Sequence, residues 1–137
     1  MRGWRLFYHA VWTTENRASL LEGDVRRLVY EAIHRRADEL GVQLHAVGGT
    51  GDHVHVVFTL PPQMAVADCV RSLKMASARA VNRWQRTLTP LRWQKGYGVF
   101  TFSERSLPDV VAYVTHQEEL HRTSRTNPYY ERVDDVA

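Results

Sequence analysis

The run Asp52-His53-Val54-His55-Val56-Val57-Phe58-Thr59-Leu60 is the strongest constraint on how this chain folds. It is β-branched and aromatic, follows Gly48-Gly49-Thr50-Gly51, and is stopped by Pro61-Pro62. Those features read as a strand entered through a tight glycine turn. Side chains alternate across a strand, so Val54, Val56, Phe58 and Leu60 share one face, and His53, His55, Val57 and Thr59 share the other. The first face is apolar enough to meet helices. The second carries two imidazoles away from that core.

The remaining elements fall into order around this strand. Trp4 to Thr14 reads as a first strand. Asp24 opens a helix to about Leu40, with Val25, Leu28, Val29, Ile33, Ala37 and Leu40 at helical spacing and Gly41 as its stop. Val42 to Val47 is a second strand. A second helix runs from about Gln63 to Trp84, with Val66, Val70, Leu73, Ser77, Ala80 and Val81 as its buried stripe. A fourth strand lies near Val99 to Ser103. Ser106-Leu107-Pro108-Asp109 resembles a capping box, opening a last helix to about His121. The order strand, helix, strand, strand, helix, strand, helix predicts an α+β fold. It is a ferredoxin-like, split β-α-β antiparallel sheet with helices on one face, plus an extra C-terminal helix. One domain is expected over residues 1–121, with a tail of uncertain order over 122–137.

The 137 residues contain one cysteine, Cys69, which excludes an intrachain disulfide and multi-cysteine zinc sites. The N-terminal run is not that of a signal peptide, and no stretch approaches a membrane span. A cytoplasmic protein with no membrane partner is expected. The net charge of +3 is unevenly placed. Between residues 63 and 96, Arg71, Lys74, Arg79, Arg83, Arg86, Arg92 and Lys95 stand against Asp68 alone. That is the charge pattern of a polyanion-binding surface, and equally of a solvated helix face.

Two histidines separated by one residue on a strand can share a metal ion, or simply stand half-exposed. Tyr113 and Gln117, four apart on the last helix, lie on one face. A phenol titrates near pKa 10, so as a nucleophile it needs a metal, a base, or both. Two imidazoles and an amide oxygen leave coordination positions open, and such a mixed site suits Mg²⁺ or Mn²⁺ better than structural zinc.

Four segments, taken together, resemble the HUH-type single-tyrosine transposases of insertion sequences and their REP-associated relatives. They are Tyr8-His9-Ala10-Val11-Trp12-Thr13-Thr14, Gly48 through His55, Trp93-Gln94-Lys95-Gly96-Tyr97-Gly98-Val99-Phe100, and Tyr113-Val114-Thr115-His116-Gln117. The resemblance spans about residues 6–121. It implies that His53, His55 and Gln117 are metal ligands and that Tyr113 attacks a DNA phosphate, giving a 5′-phosphotyrosine and a free 3′-OH that later rejoins the strand. It also implies a bacterial or archaeal source, single-stranded DNA with hairpins as substrate, and a homodimer with composite active sites. Arg71, Lys74, Arg79 and Arg83 are then candidate phosphate contacts, and Trp84, Trp93 and Tyr97 are either base-stacking or packing residues. Asp52 is either a partner orienting a histidine or a turn residue.

Three other functions compete. The first is a domesticated or inactive relative that binds DNA hairpins without cutting. The second, a two-histidine phosphoesterase, needs two His-x-Thr/Ser motifs, and the chain has only His121-Arg122-Thr123. The third, an RNA-binding module, lacks its usual aromatic strand pattern here.

Overall fold

The computed structural model describes residues 3–133. Strands β1 (Phe7–Thr13), β2 (Gln43–Thr50), β3 (His53–Thr59) and β4 (Gly98–Phe102) form one sheet in the order β2-β3-β1-β4, antiparallel throughout. Helices α1 (Gly23–Leu40) and α2 (Val66–Trp84) cover one face. This is the predicted α+β architecture.

The alternation in β3 sets the two sides. Val54, Val56, Phe58 and Leu60, with Ala10 and Trp12 of β1, pack against Val29, Ile33 and Ala37 of α1 and Cys69, Val70, Leu73 and Val81 of α2. Burying each such aliphatic side chain contributes about 1.5–3 kcal/mol. Ser77 sits in the stripe with its hydroxyl satisfied, donating to the Leu73 carbonyl at 2.7 Å. Gly41 ends α1 at φ 72°, a left-handed conformation that glycine adopts without strain.

Three local expectations change. Gly48, Gly49 and Thr50 belong to β2, pairing with His55, Val54 and His53, and only Gly51-Asp52 turns. At Gly48 the missing side chain serves close approach: an added Cβ would lie 2.0 Å from the carbonyl oxygen of Val114. The last helix is two helices, α3 (Leu107–Thr115) and α4 (Gln117–Arg122), broken at His116 (φ −110°, ψ 29°). Ser106 occupies the cap position of α3 but makes no side-chain capping bond, because it is the last residue of a 3₁₀ turn (Glu104–Ser106) and already has helical angles.

Helix α3 lies on the second face of the sheet. There Val110 and Val114 pack with Ala46 and Val57 in a smaller apolar cluster. The chain after α4 folds back across β4, and an added Cβ at Gly98 would fall 2.0 Å from the carbonyl oxygen of Arg132. Among the described residues no helix is long and apolar enough to cross a membrane.

Candidate active site

His53 and His55 face away from the α1/α2 core, as the alternation requires, yet they are buried (2% and 0% exposed) rather than half-exposed. The cover is α3, α4 and residues 123–133, whose docking on this face carries no strand-like or periodic signal. His9 from β1 joins them on the same face, its Nε2 2.7 Å from Nδ1 of His55. Nδ1 of His53 lies 2.8 Å from Oδ1 of Asp52 and 2.9 Å from Oγ1 of Thr50. The His53 tautomer that donates Nδ1–H to Asp52 leaves the Nε2 lone pair pointing into the site. Asp52 thus has a histidine partner as well as its place in the turn.

Gln117, the first residue of α4, is buried. Its Nε2 donates to the carbonyl of Tyr113 at 3.0 Å, which fixes the amide with Oε1 toward the histidines, 3.1 Å from Nε2 of His53. His121 Nε2 approaches the same oxygen at 3.0 Å. Tyr113 and Gln117 therefore meet at the site across the break at His116 rather than along one helix face. The Tyr113 ring stands edge-on to His55, with centroids 5.8 Å apart.

One residue at the centre had no role in the sequence reading. Oε1 of Glu131 lies 3.3 Å from Nε2 of each of His53, His55 and His121. Its other oxygen accepts the Tyr113 hydroxyl proton in a hydrogen bond, and the backbone N–H of Asn127 donates to that hydroxyl oxygen at 2.9 Å. Glu131 is far from every partner in sequence, so no local pattern points to it.

The electrostatics follow the packing. Burial works to raise the Glu131 carboxyl, but hydrogen bonds from His53 and His55 outweigh it and hold the carboxyl well below its usual range. Burial, then the bond to Glu131, pushes the Tyr113 phenol up to about 12. His9 is pushed down to about 3, by burial first and His55 second. Burial also lowers His55, whereas for His53 it is outweighed by bonds to Glu131, Asp52 and Gln117, which raise it.

The donor set fits a divalent cation. Ligand atoms of His53, His55 and Glu131 lie within 4.8 Å of one another, and the amide oxygen of Gln117 borders them. Two imidazole nitrogens with carboxylate and amide oxygens make a mixed set open to oxygen-preferring metals.

The basic residues of α2 do not reach this site; they lie on the other side of the sheet. Lys74 is no free cation: its Nζ donates to the carbonyls of Gln94 (2.9 Å) and Gly96 (3.1 Å), tying down the loop before β4. Arg71 pairs with Asp68 one turn away. Arg79 and Arg83 are exposed and open into a groove between α1 and α2 that Arg35 also lines. Trp93 is a packing residue, its Nε1–H donating to the Lys74 carbonyl at 3.0 Å and its ring edge-on to Trp12.

Comparison with known proteins bears on this geometry. The family described as IS200-like transposases matches residues 3–117. The ISDra2 transposase TnpA of Deinococcus radiodurans is 27% identical over 125 residues, covering 85% of this chain and 86% of that protein. The transposase of insertion sequence element IS200 from Salmonella typhimurium is 25% identical over 121 residues, covering 85% and 79%. A crystal structure of a protein assigned as a transposase in D. radiodurans superposes with a TM-score of 0.67 at 29% identity, covering 83% of this chain and 93% of that one. A REP-associated tyrosine transposase bound to a REP hairpin shares the fold, with a TM-score of 0.65 at 16% identity, covering 92% and 76%. The chain belongs to the IS200-like transposase family.

Proposed function

We propose that this family member cleaves and rejoins single-stranded DNA through a 5′-phosphotyrosine on Tyr113, with His53, His55 and Gln117 holding Mg²⁺ or Mn²⁺. The observation that carries the reading is the convergence, within one chain, of a phenol, two buried imidazoles with inward Nε2 atoms and an inward amide oxygen. Asp52 is the residue that orients His53. Imperfect DNA hairpins are the proposed recognition element, consistent with the hairpin-bound protein of the same fold.

In the forward step Tyr113 Oη bonds to phosphorus and the P–O3′ bond breaks. The phenol proton passes to solvent, and the leaving 3′-oxygen takes up a proton. Reversal by a 3′-OH of another strand end gives rejoining without a nucleotide cofactor, because the phosphodiester energy is kept in the tyrosine ester. A bound divalent cation supplies positive charge to the phosphate oxygens. His53 and His55 present neutral Nε2 donors to it. Gln117 adds an oxygen without adding charge.

The test is covalent trapping on single-stranded oligonucleotides from the DNA flanking the gene, with Mg²⁺ or Mn²⁺. A denaturant-stable adduct is expected from the native chain and absent from Tyr113→Phe. No adduct on strands that the protein demonstrably binds would leave a hairpin-binding relative that does not cut.

A further inference from the structure

We propose that residues 123–133 form a self-docking cover in which the Glu131 carboxylate holds the place of the scissile phosphate, so that DNA must displace the segment to be cut. The inference rests on the roles given above to His53, His55 and Tyr113.

The carboxylate bridges two groups that a substrate phosphate must also bridge. One oxygen stands 3.3 Å from Nε2 of both ligand histidines, and the other is bound by the tyrosine hydroxyl. A phosphodiester set for attack has the same disposition, with one oxygen at the cation and the phosphorus beside the nucleophile. Carboxylate and phosphodiester share a single negative charge and paired acceptor oxygens, so the same donors recognise both. The two cannot be present together.

The docked state also occupies the nucleophile. The Tyr113 proton is committed to Glu131, and its oxygen accepts the Asn127 N–H at 2.9 Å. With the cover in place, DNA has no path to His53 or His55, which are 2% and 0% exposed.

The docking is specific. Tyr130 packs on His9 and Tyr113 (centroids 4.8 and 5.2 Å), and Tyr129 packs on Phe100 (4.6 Å). Gly98 lacks the side chain that would strike the Arg132 carbonyl. Yet Tyr129 is 60% exposed and, beyond α4, the segment has no helix or strand of its own. A short, partly solvated segment held by a few side chains belongs to the low-stability end of a structure and opens locally.

Two full-length variants test this. Glu131→Ala removes the carboxylate. Gly98→Ala pushes the segment off from beneath without touching the site. Binding of a fluorescent single-stranded oligonucleotide is measured by anisotropy without metal, and adduct formation with Mn²⁺. Both variants are expected to bind about tenfold tighter, the equivalent of one charge-assisted hydrogen bond, and to form adduct faster. Unchanged binding in both overturns the proposal. So does slower adduct formation in Glu131→Ala, which would make the carboxylate a working part of the site. Tighter binding with no adduct in any chain would keep the cover and remove the tyrosine chemistry. Adduct from native chain but not Tyr113→Phe, with binding unchanged by either variant, would do the reverse.

Discussion

His9 shows how one buried side chain tunes a site it does not enter. Its Nε2 contacts Nδ1 of His55, and its own Nδ1 is buried with no hydrogen-bond partner among the described residues. The pair has two tautomeric arrangements. With the proton on His9 Nε2, His55 carries its own on Nε2 and donates to Glu131; with the proton on His55 Nδ1, the Nε2 lone pair is free for a cation. Outer partners of ligand histidines are worth about 10–100-fold in metal affinity. His9→Ala is therefore expected to weaken Mn²⁺ binding by that order, with His9→Gln restoring part of it; calorimetric titration reads this, and unchanged affinity would sink the role. The same residue carries a pH signature. Its folded value is near 3 against an ordinary 6.5, so the unfolded chain binds the proton first as pH falls. Stability is expected to drop from about pH 6.5 toward 3, less so in His9→Gln.

At the scale of elements, the glycine pair near the end of β2 governs where α3 sits. Gly48 and Gly49 have no positive φ; their role is to let other backbone approach. Gly48→Val puts a branched side chain into the Val114 carbonyl and is expected to lift α3 from Ala46 and Val57. Overpacking of this kind costs about 1–3 kcal/mol. Urea denaturation should show that loss, with far-UV circular dichroism near native and adduct formation abolished; native adduct yield would refute it. This element also marks what was legible in the sequence. The period-two pattern of β3 is strong because one face meets two helices, so both histidines could be assigned to the opposite face. Gly48-Gly49 was ambiguous, since a glycine needed for close approach looks like one needed for a turn. The break at His116 has neither proline nor glycine to announce it. Glu131 and His9 reach the site through tertiary folding alone, with 76 and 46 residues separating them from His55.

Across the whole molecule, the sheet separates two surfaces of different character. One holds the buried histidines, Tyr113 and the Glu131 segment. The other offers the groove between α1 and α2, where Arg35, Arg79 and Arg83 are exposed while Lys74 is spent on the loop before β4. If the protein binds hairpins as proposed, a stem presenting phosphates at regular spacing would suit such a groove, with its single-stranded flank free to pass around the sheet edge to Tyr113. The basic run of α2 thus divides: Lys74 is tied to the loop before β4, Arg71 is paired with Asp68, and Arg79 and Arg83 are the candidates for phosphate. Each neutralised phosphate contributes about 0.9 to the slope of log affinity against log salt. Arg79→Gln with Arg83→Gln is therefore expected to weaken hairpin binding at low salt and to flatten that slope by about two. Adduct yield on a short, unstructured oligonucleotide at saturating concentration should stay native, because neither residue lies near Tyr113. Lys74→Gln should instead lower the urea midpoint with the slope unchanged. If the arginine pair leaves the salt dependence untouched, the stem lies elsewhere and the groove is a solvated helix face.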